Sequence, residues 1–110
     1  MTDLLHRKCQ ALEGGEPMSD TDIRHHLQQV SGWQARGGAI EKTFVFRNYL
    51  ETISFVNALA WICNAEDHHP ELTVTLDRCV ARFSTHAVSG VSVNDFICAA
   101  KADALISFVG

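Results

Sequence analysis

Positive charge is scarce in this chain: 9 Lys and Arg stand against 13 Asp and Glu, for a formal net charge of -4. The few cations are scattered, with Arg36, Arg47, Arg78 and Arg82 far apart in sequence. Phosphate contacts dominate nucleic-acid affinity and need a basic face, so direct binding of DNA or RNA is not expected. Docking on an acidic lipid surface is disfavoured for the same reason. Long apolar runs are also missing. The longest, Ala58 to Cys63, falls far short of the roughly 20 residues a bilayer span requires. Met1 to Cys9 has no apolar core of the secretory kind. The expected location is therefore cytoplasmic, with reduced thiols. No CxxC spacing joins Cys9, Cys63, Cys79 and Cys98, which leaves neither a redox motif nor a thiolate zinc site. Repeats and low-complexity tracts are absent too.

What is present describes one domain. A chain of 110 residues, 46% hydrophobic and 20% charged, has the length and composition of a single soluble core. Residues 1–18 are the least patterned, and Glu13-Gly14-Gly15-Glu16-Pro17 marks a loosely ordered arm before a domain over 19–110. Ser19, followed by Asp20 and Asp22, predicts a helix start, with Ile23, Leu27 and Val30 at helical spacing and Gly32 as its end. Extended pieces follow around Trp33 and from Ile40 to Phe46, joined at Gly37-Gly38. Asn48 and Glu51 form a capping-box-like pair for a longer helix. Its buried face is read as Ile53, Val56, Leu59, Ala60 and Cys63. Pro70 forces that helix to stop, because a residue before proline is pushed out of helical geometry. Strands are expected over Leu72–Leu76 and Cys79–Thr85, with His86 at the end of the more polar row. A final helix opens at Ser92, with Asp95 in the capping-box position. The order α-β-β-α-β-β-α predicts an α+β fold: a four-stranded, mostly antiparallel sheet with three helices packed on one face. A bare sheet face invites a second copy, so a homo-oligomer, dimer or tetramer, is expected. Cys63, Cys79 and Cys98 read as small core fillers.

The segment Glu66-Asp67-His68-His69-Pro70 stands out chemically. Two histidines at a helix exit make poor core material. An imidazole, with an unperturbed pKa of about 6.5, exchanges protons near neutrality. On spacing alone, the plain reading of a solvated loop takes precedence, and His25-His26, on a polar helix surface, supplies the comparison. Consecutive histidines diverge in extended backbone, which argues against a metal held by His68, His69 and His86, even with Asp67 or Glu66 added.

The wider pattern is more specific. HHPEL at His68 to Leu72, STH at Ser84 to His86, and SGVSVND at Ser89 to Asp95 resemble the pterin-4a-carbinolamine dehydratase family. His86 follows Pro70 by 16 positions, and Asp95 follows His86 by 9. Gly32-Trp33, the FVFRNYLETISFVNALA stretch and NDFICAA at Asn94 to Ala100 extend the similarity, the last especially to bacterial members, over roughly Ser19 to Ala104. The resemblance implies an enzyme that dehydrates 4a-hydroxytetrahydropterins to quinonoid dihydropterins in pterin recycling, with no metal and no organic cofactor. It implies His68 and His86 as proton-transfer groups and His69 as a pterin-orienting group. Asp95 is balanced between a site role and simple capping. Pro70 is read as fixing the doublet's presentation, and Trp33 and Trp61 as core rather than stacking platforms.

Two positions depart from the family pattern. Asn64 stands where a charged or histidine side chain is usual, and Leu76 where an aromatic is usual. They bear on catalytic efficiency more than on fold. They also leave open a second reading, a catalytically weak dehydratase-like protein that acts as a binding or assembly partner.

Overall fold

The computed structural model describes residues 3–106; residues 1–2 of the expected arm and 107–110 of the expected domain lie outside the described residues. The elements run α1 (Asp20–Leu27), β1 (Gln34–Arg36), β2 (Ala39–Val45), α2 (Tyr49–Glu66), β3 (Glu71–Val74), β4 (Arg78–Phe83) and α3 (Val93–Ala104). Short 3-10 turns occupy Leu4–His6 and His86–Val88. This is the α-β-β-α-β-β-α order expected from sequence. The four strands pair antiparallel in the order β1-β2-β4-β3.

Strand alternation builds the core. In β2 and β4, Ile40, Phe44, Cys79, Ala81 and Phe83 are buried on one face, while Glu41, Thr43, Val80 and Arg82 pair across the other. Phe55, Leu59 and Cys63 of α2, with Phe96, Ile97 and Ala99 of α3, complete the cluster. Large side chains such as Phe55, Phe83 and Phe96 contribute about 1.5–3 kcal/mol each when fully buried. The two helices therefore rest on β4, the strand that leads to the 84–92 loop. Ser19 caps α1 by accepting from Asp22 N at 3.1 Å.

Several local readings change. The buried stripe of α2 is Thr52, Phe55, Leu59 and Cys63, whereas Ala60 is exposed. Trp61, expected in the core, is 80% exposed. Asn48 does cap α2, accepting from Glu51 N at 2.9 Å, but the Glu51 carboxylate turns back to Arg47 instead of closing a box. β4 ends at Phe83, so His86 begins a 3-10 turn and does not continue the strand's polar row. The reason lies at Thr85, whose N–H donates to Gly90 O at 2.7 Å and folds the chain back on itself. His26 is not plain solvated surface either: its ring centroid lies 5.1 Å from that of Phe96.

The segment before α1, read from sequence as a loose arm, crosses the surface of α3. Leu4 is buried, and Met18 N donates to Val91 O at 2.7 Å. Gly90 permits the crossing, since a Cβ there would stand 2.7 Å from Pro17 Cβ.

Candidate active site

The histidine doublet is presented by the way α2 ends. Asp67 takes the left-handed conformation (φ 52). Its amide donates to Asn64 O, and the His68 amide donates to Cys63 O at 3.1 Å. These are the two bonds of a Schellman motif, which satisfies carbonyls the helix leaves open. Asp is one of the few residues that adopts this geometry readily, through its short polar side chain. Pro70 then bars any return to helix. The main chain at His68 is thus fixed by backbone bonding before its side chain makes any contact.

Asp95 supplies that contact. It is the third residue of α3 and is fully buried (0% exposed). Its Oδ2 accepts from Ser92 N at 2.9 Å, closing the capping box, and from Thr85 Oγ1 at 2.9 Å. Its Oδ1 lies 2.5 Å from His68 Nε2. An ionised carboxylate only accepts hydrogen bonds, and all three neighbours can donate. The His68 proton therefore sits on Nε2, and Nδ1 is the ring nitrogen left for other chemistry. Because Thr85 donates to Asp95, its oxygen accepts from Ser92 Oγ at 2.6 Å. The His68 side chain is 12% exposed, and its ring runs parallel to that of Phe83 (9° between planes, centroids 6.2 Å apart).

His68, His69 and His86 all open onto one cleft of about 590 Å³, together with Asp67, Ser84 and Thr85. His69 and His86 are exposed. Pro70 lies outside the cleft, lining a neighbouring apolar hollow that His69 also borders. The structure thus brings the three histidines together and places Asp95 directly beneath one of them. Sequence reasoning missed Thr85, whose hydroxyl orders Asp95, and it missed the arm. Residues 9–12 form one wall of the cleft. Cys9 N donates to Glu66 Oε1 at 2.7 Å, while Gln10 N and O bond the Asn94 side chain at 3.0 and 2.7 Å. The one signal for Thr85 was its place in the STH run. For residues 9–12 there was none, since backbone amides bind irrespective of sequence. Among the described residues, no group of three His, Cys, Asp or Glu side chains could hold a metal ion, and no helix is long and apolar enough to cross a membrane.

Glu66 anchors the arm and is nearly buried (5% exposed) beside Lys101, 3.2 Å away. Burial pushes its carboxyl pKa up, but the Cys9 amide, Lys101 and Lys8 outweigh that effect and leave it lowered. A carboxylate with a lowered folded-state pKa contributes stability above its unfolded pKa and loses it as pH falls through the folded value. Protection of the Cys9 amide against hydrogen exchange should therefore hold at neutral pH and be lost on acidification below the ordinary Glu range, about 4.3. In Glu66→Gln the protection should no longer depend on pH in this window; an unchanged acid loss in that variant would contradict the anchor.

Comparison with known proteins gives the family. Residues 16–105 match the family model described as pterin 4 alpha carbinolamine dehydratase. A Nitrosospira multiformis protein provisionally named a pterin-4-alpha-carbinolamine dehydratase is 47% identical over 94% of this chain and 92% of its own. A Stenotrophomonas maltophilia protein of the same provisional name is 50% identical over 96% of each chain. Among solved structures, a transcriptional coactivator/pterin dehydratase from Brucella melitensis superposes with a TM-score of 0.79 at 26% identity, covering 82% of this chain and 98% of its own. A pterin dehydratase-like RuBisCO assembly factor of the alpha-carboxysome shares the fold, with a TM-score of 0.56 at 23% identity over 66% of this chain and 84% of its own. The chain belongs to the pterin-4-alpha-carbinolamine dehydratase family.

Proposed function

We propose that the chain catalyses loss of water from a 4a-hydroxytetrahydropterin to give the quinonoid dihydropterin, by proton transfer between histidines. The observation that carries this reading is the cleft on which three imidazoles converge, one of them held by the buried Asp95 carboxylate. The reaction removes a proton from N5 and delivers one to the departing 4a-hydroxyl. His68, with Nε2 committed to Asp95, uses Nδ1 as the base; a carboxylate behind an imidazole fixes its tautomer and stabilises the charge it acquires. His86, exposed on its 3-10 turn, serves as the acid, and His69 orients the ring from the cleft's edge. Asp95 acts through His68 and is a positioning residue. The departing water carries the His86 proton, and passage of the N5 proton from His68 back to His86 through solvent in the cleft resets the pair; the scheme uses neither metal nor organic cofactor. Leu76 lies away from the cleft and Asn64 lines the adjoining hollow that His69 borders; retention of all three histidines supports an active enzyme over a weak dehydratase-like binding partner.

The test is the decay of the 4a-hydroxypterin absorbance. His68→Ala and His86→Ala should each lower kcat by about 10²–10⁴-fold, the usual contribution of a positioned acid or base, with unchanged circular dichroism. Wild-type protein no faster than the uncatalysed reaction would end the dehydratase reading, and full activity in both variants would end the site assignment.

The reading includes self-association. Trp61 is 80% and Leu76 69% exposed, and Trp61 borders an apolar hollow with Leu72 and Pro70. Large apolar side chains grouped in this way are characteristic of protein interfaces. Sedimentation velocity should give a dimer or tetramer for the wild type and a smaller species for Trp61→Glu; a wild-type monomer would refute it.

A further inference from the structure

The arm that walls the cleft carries the one thiol of the four that is not buried, Cys9. Its Sγ lies 3.6 Å from Cys98 Sγ and 3.6 Å from Asn94 O. Cys98 sits in α3, three positions after Asp95, and is fully buried. Contacts with the Cys63 and Cys9 thiols, together with burial, raise the Cys98 pKa above its ordinary value, so this thiol is not the one that reacts first and gives up its proton only as it attacks an oxidised Cys9. Cys63, its other neighbour, is likewise buried. An oxidant arriving from solvent therefore meets Cys9 first. An accessible thiol in contact with a second thiol is one feature shared with redox-sensing cysteines.

We propose that Cys9 and Cys98 are a redox-active pair that a hydroperoxide converts to a disulfide, clamping the arm along the histidine cleft. In the first step Cys9 sulfur is oxidised to the sulfenic acid while the peroxide O–O bond is reduced, releasing an alcohol or water. In the second, the Cys98 sulfur displaces hydroxide from the Cys9 sulfur, the S–S bond forms, and the Cys98 proton leaves with the hydroxide as water. A small-molecule thiol reverses the sequence by exchange. Bonding distance is about 2.05 Å, so the sulfurs must approach from 3.6 Å. The mobile partner in that movement is the arm, which near Cys9 has no regular secondary structure and is held by the hydrogen bonds to Glu66 and Asn94. In the reduced protein those bonds can open singly. In the oxidised protein residues 9–12 are tied covalently to the helix that carries Asp95, and the cleft wall becomes fixed. The family model begins at residue 16, so Cys9 lies before the residues it matches.

The experiment uses the full chain, reduced, freed of reductant and treated with hydrogen peroxide, and it does not depend on dehydratase activity. Free thiols should fall from the four of the sequence to two, and a non-reducing peptide map should join Cys9 to Cys98 within one molecule. Exchange at the Cys9 and Gln10 amides should slow, with β4 amides unchanged, and dithiothreitol should restore the starting state. Cys9→Ser, which leaves the core intact, should abolish the thiol loss, whereas Cys79→Ser should retain it. A cross-link between Cys63 and Cys98, an intermolecular bond, continued loss of two thiols in Cys9→Ser, or unchanged exchange in the oxidised arm would each overturn the proposal.

Discussion

The Asp95 carboxylate has no contact with water, yet it sits where three chain segments meet. An ionised carboxylate in that position is costly unless its lone pairs are occupied. Ser92 N, Thr85 Oγ1 and His68 Nε2 occupy them. Hydrogen bonds to charged groups contribute about 1.5–3 kcal/mol each, and a buried partner left unmade costs about 1–3 kcal/mol. The end of β4, the start of α3 and the exit of α2 are therefore held by one side chain. Because the capping box already draws Oδ2 to the helix start, Oδ1 is left pointing at the doublet. One carboxylate thus caps the start of a helix and aims an imidazole at once.

Everything around the cleft follows from that junction. The Schellman turn delivers His68 to Asp95, Phe83 supplies a parallel surface for its ring, and the Thr85–Gly90 bridge turns His86 toward the same opening. The arm closes the remaining side through main-chain groups bonded to Glu66 and Asn94. Glu66 is the last residue of α2, so the arm is tied to the same helix end that presents the histidines. Any movement of that end is felt by the wall and by the doublet together.

Much of this was readable in the sequence, for reasons that differ by element. Ser19, Asn48 and Ser92 cap their helices because capping is local chemistry within three or four residues. The α2 exit was readable from Pro70. The doublet was not distinguishable from His25-His26 until His86 and Asp95 were set beside it, since convergence of 68, 86 and 95 is a tertiary fact. Asp95 looked divided between capping and the site; the structure has it bond both the cap amide and His68, each through its own oxygen. The stripe of α2 was misread because Thr52 is buried with its hydroxyl within reach of Asn48 O and Leu76 O (2.9 and 3.1 Å), while apolar Trp61 faces solvent. Residue type alone reports neither a satisfied buried hydroxyl nor an exposed tryptophan. The arm is less legible because, beside the buried Leu4, its anchors near the cleft are backbone groups, which leave no trace in side-chain pattern.

The central claim is that Asp95 fixes the His68 imidazole with its proton on Nε2, leaving Nδ1 for proton transfer. Nitrogen-15 NMR of the histidine rings near neutral pH measures this directly. The account predicts that neutral His68 is the Nε2–H tautomer, and that Asp95→Asn disturbs this preference while His25 and His69 keep their spectra. A neutral His68 found as the Nδ1–H tautomer, or one whose signals do not respond to Asp95→Asn, would contradict it.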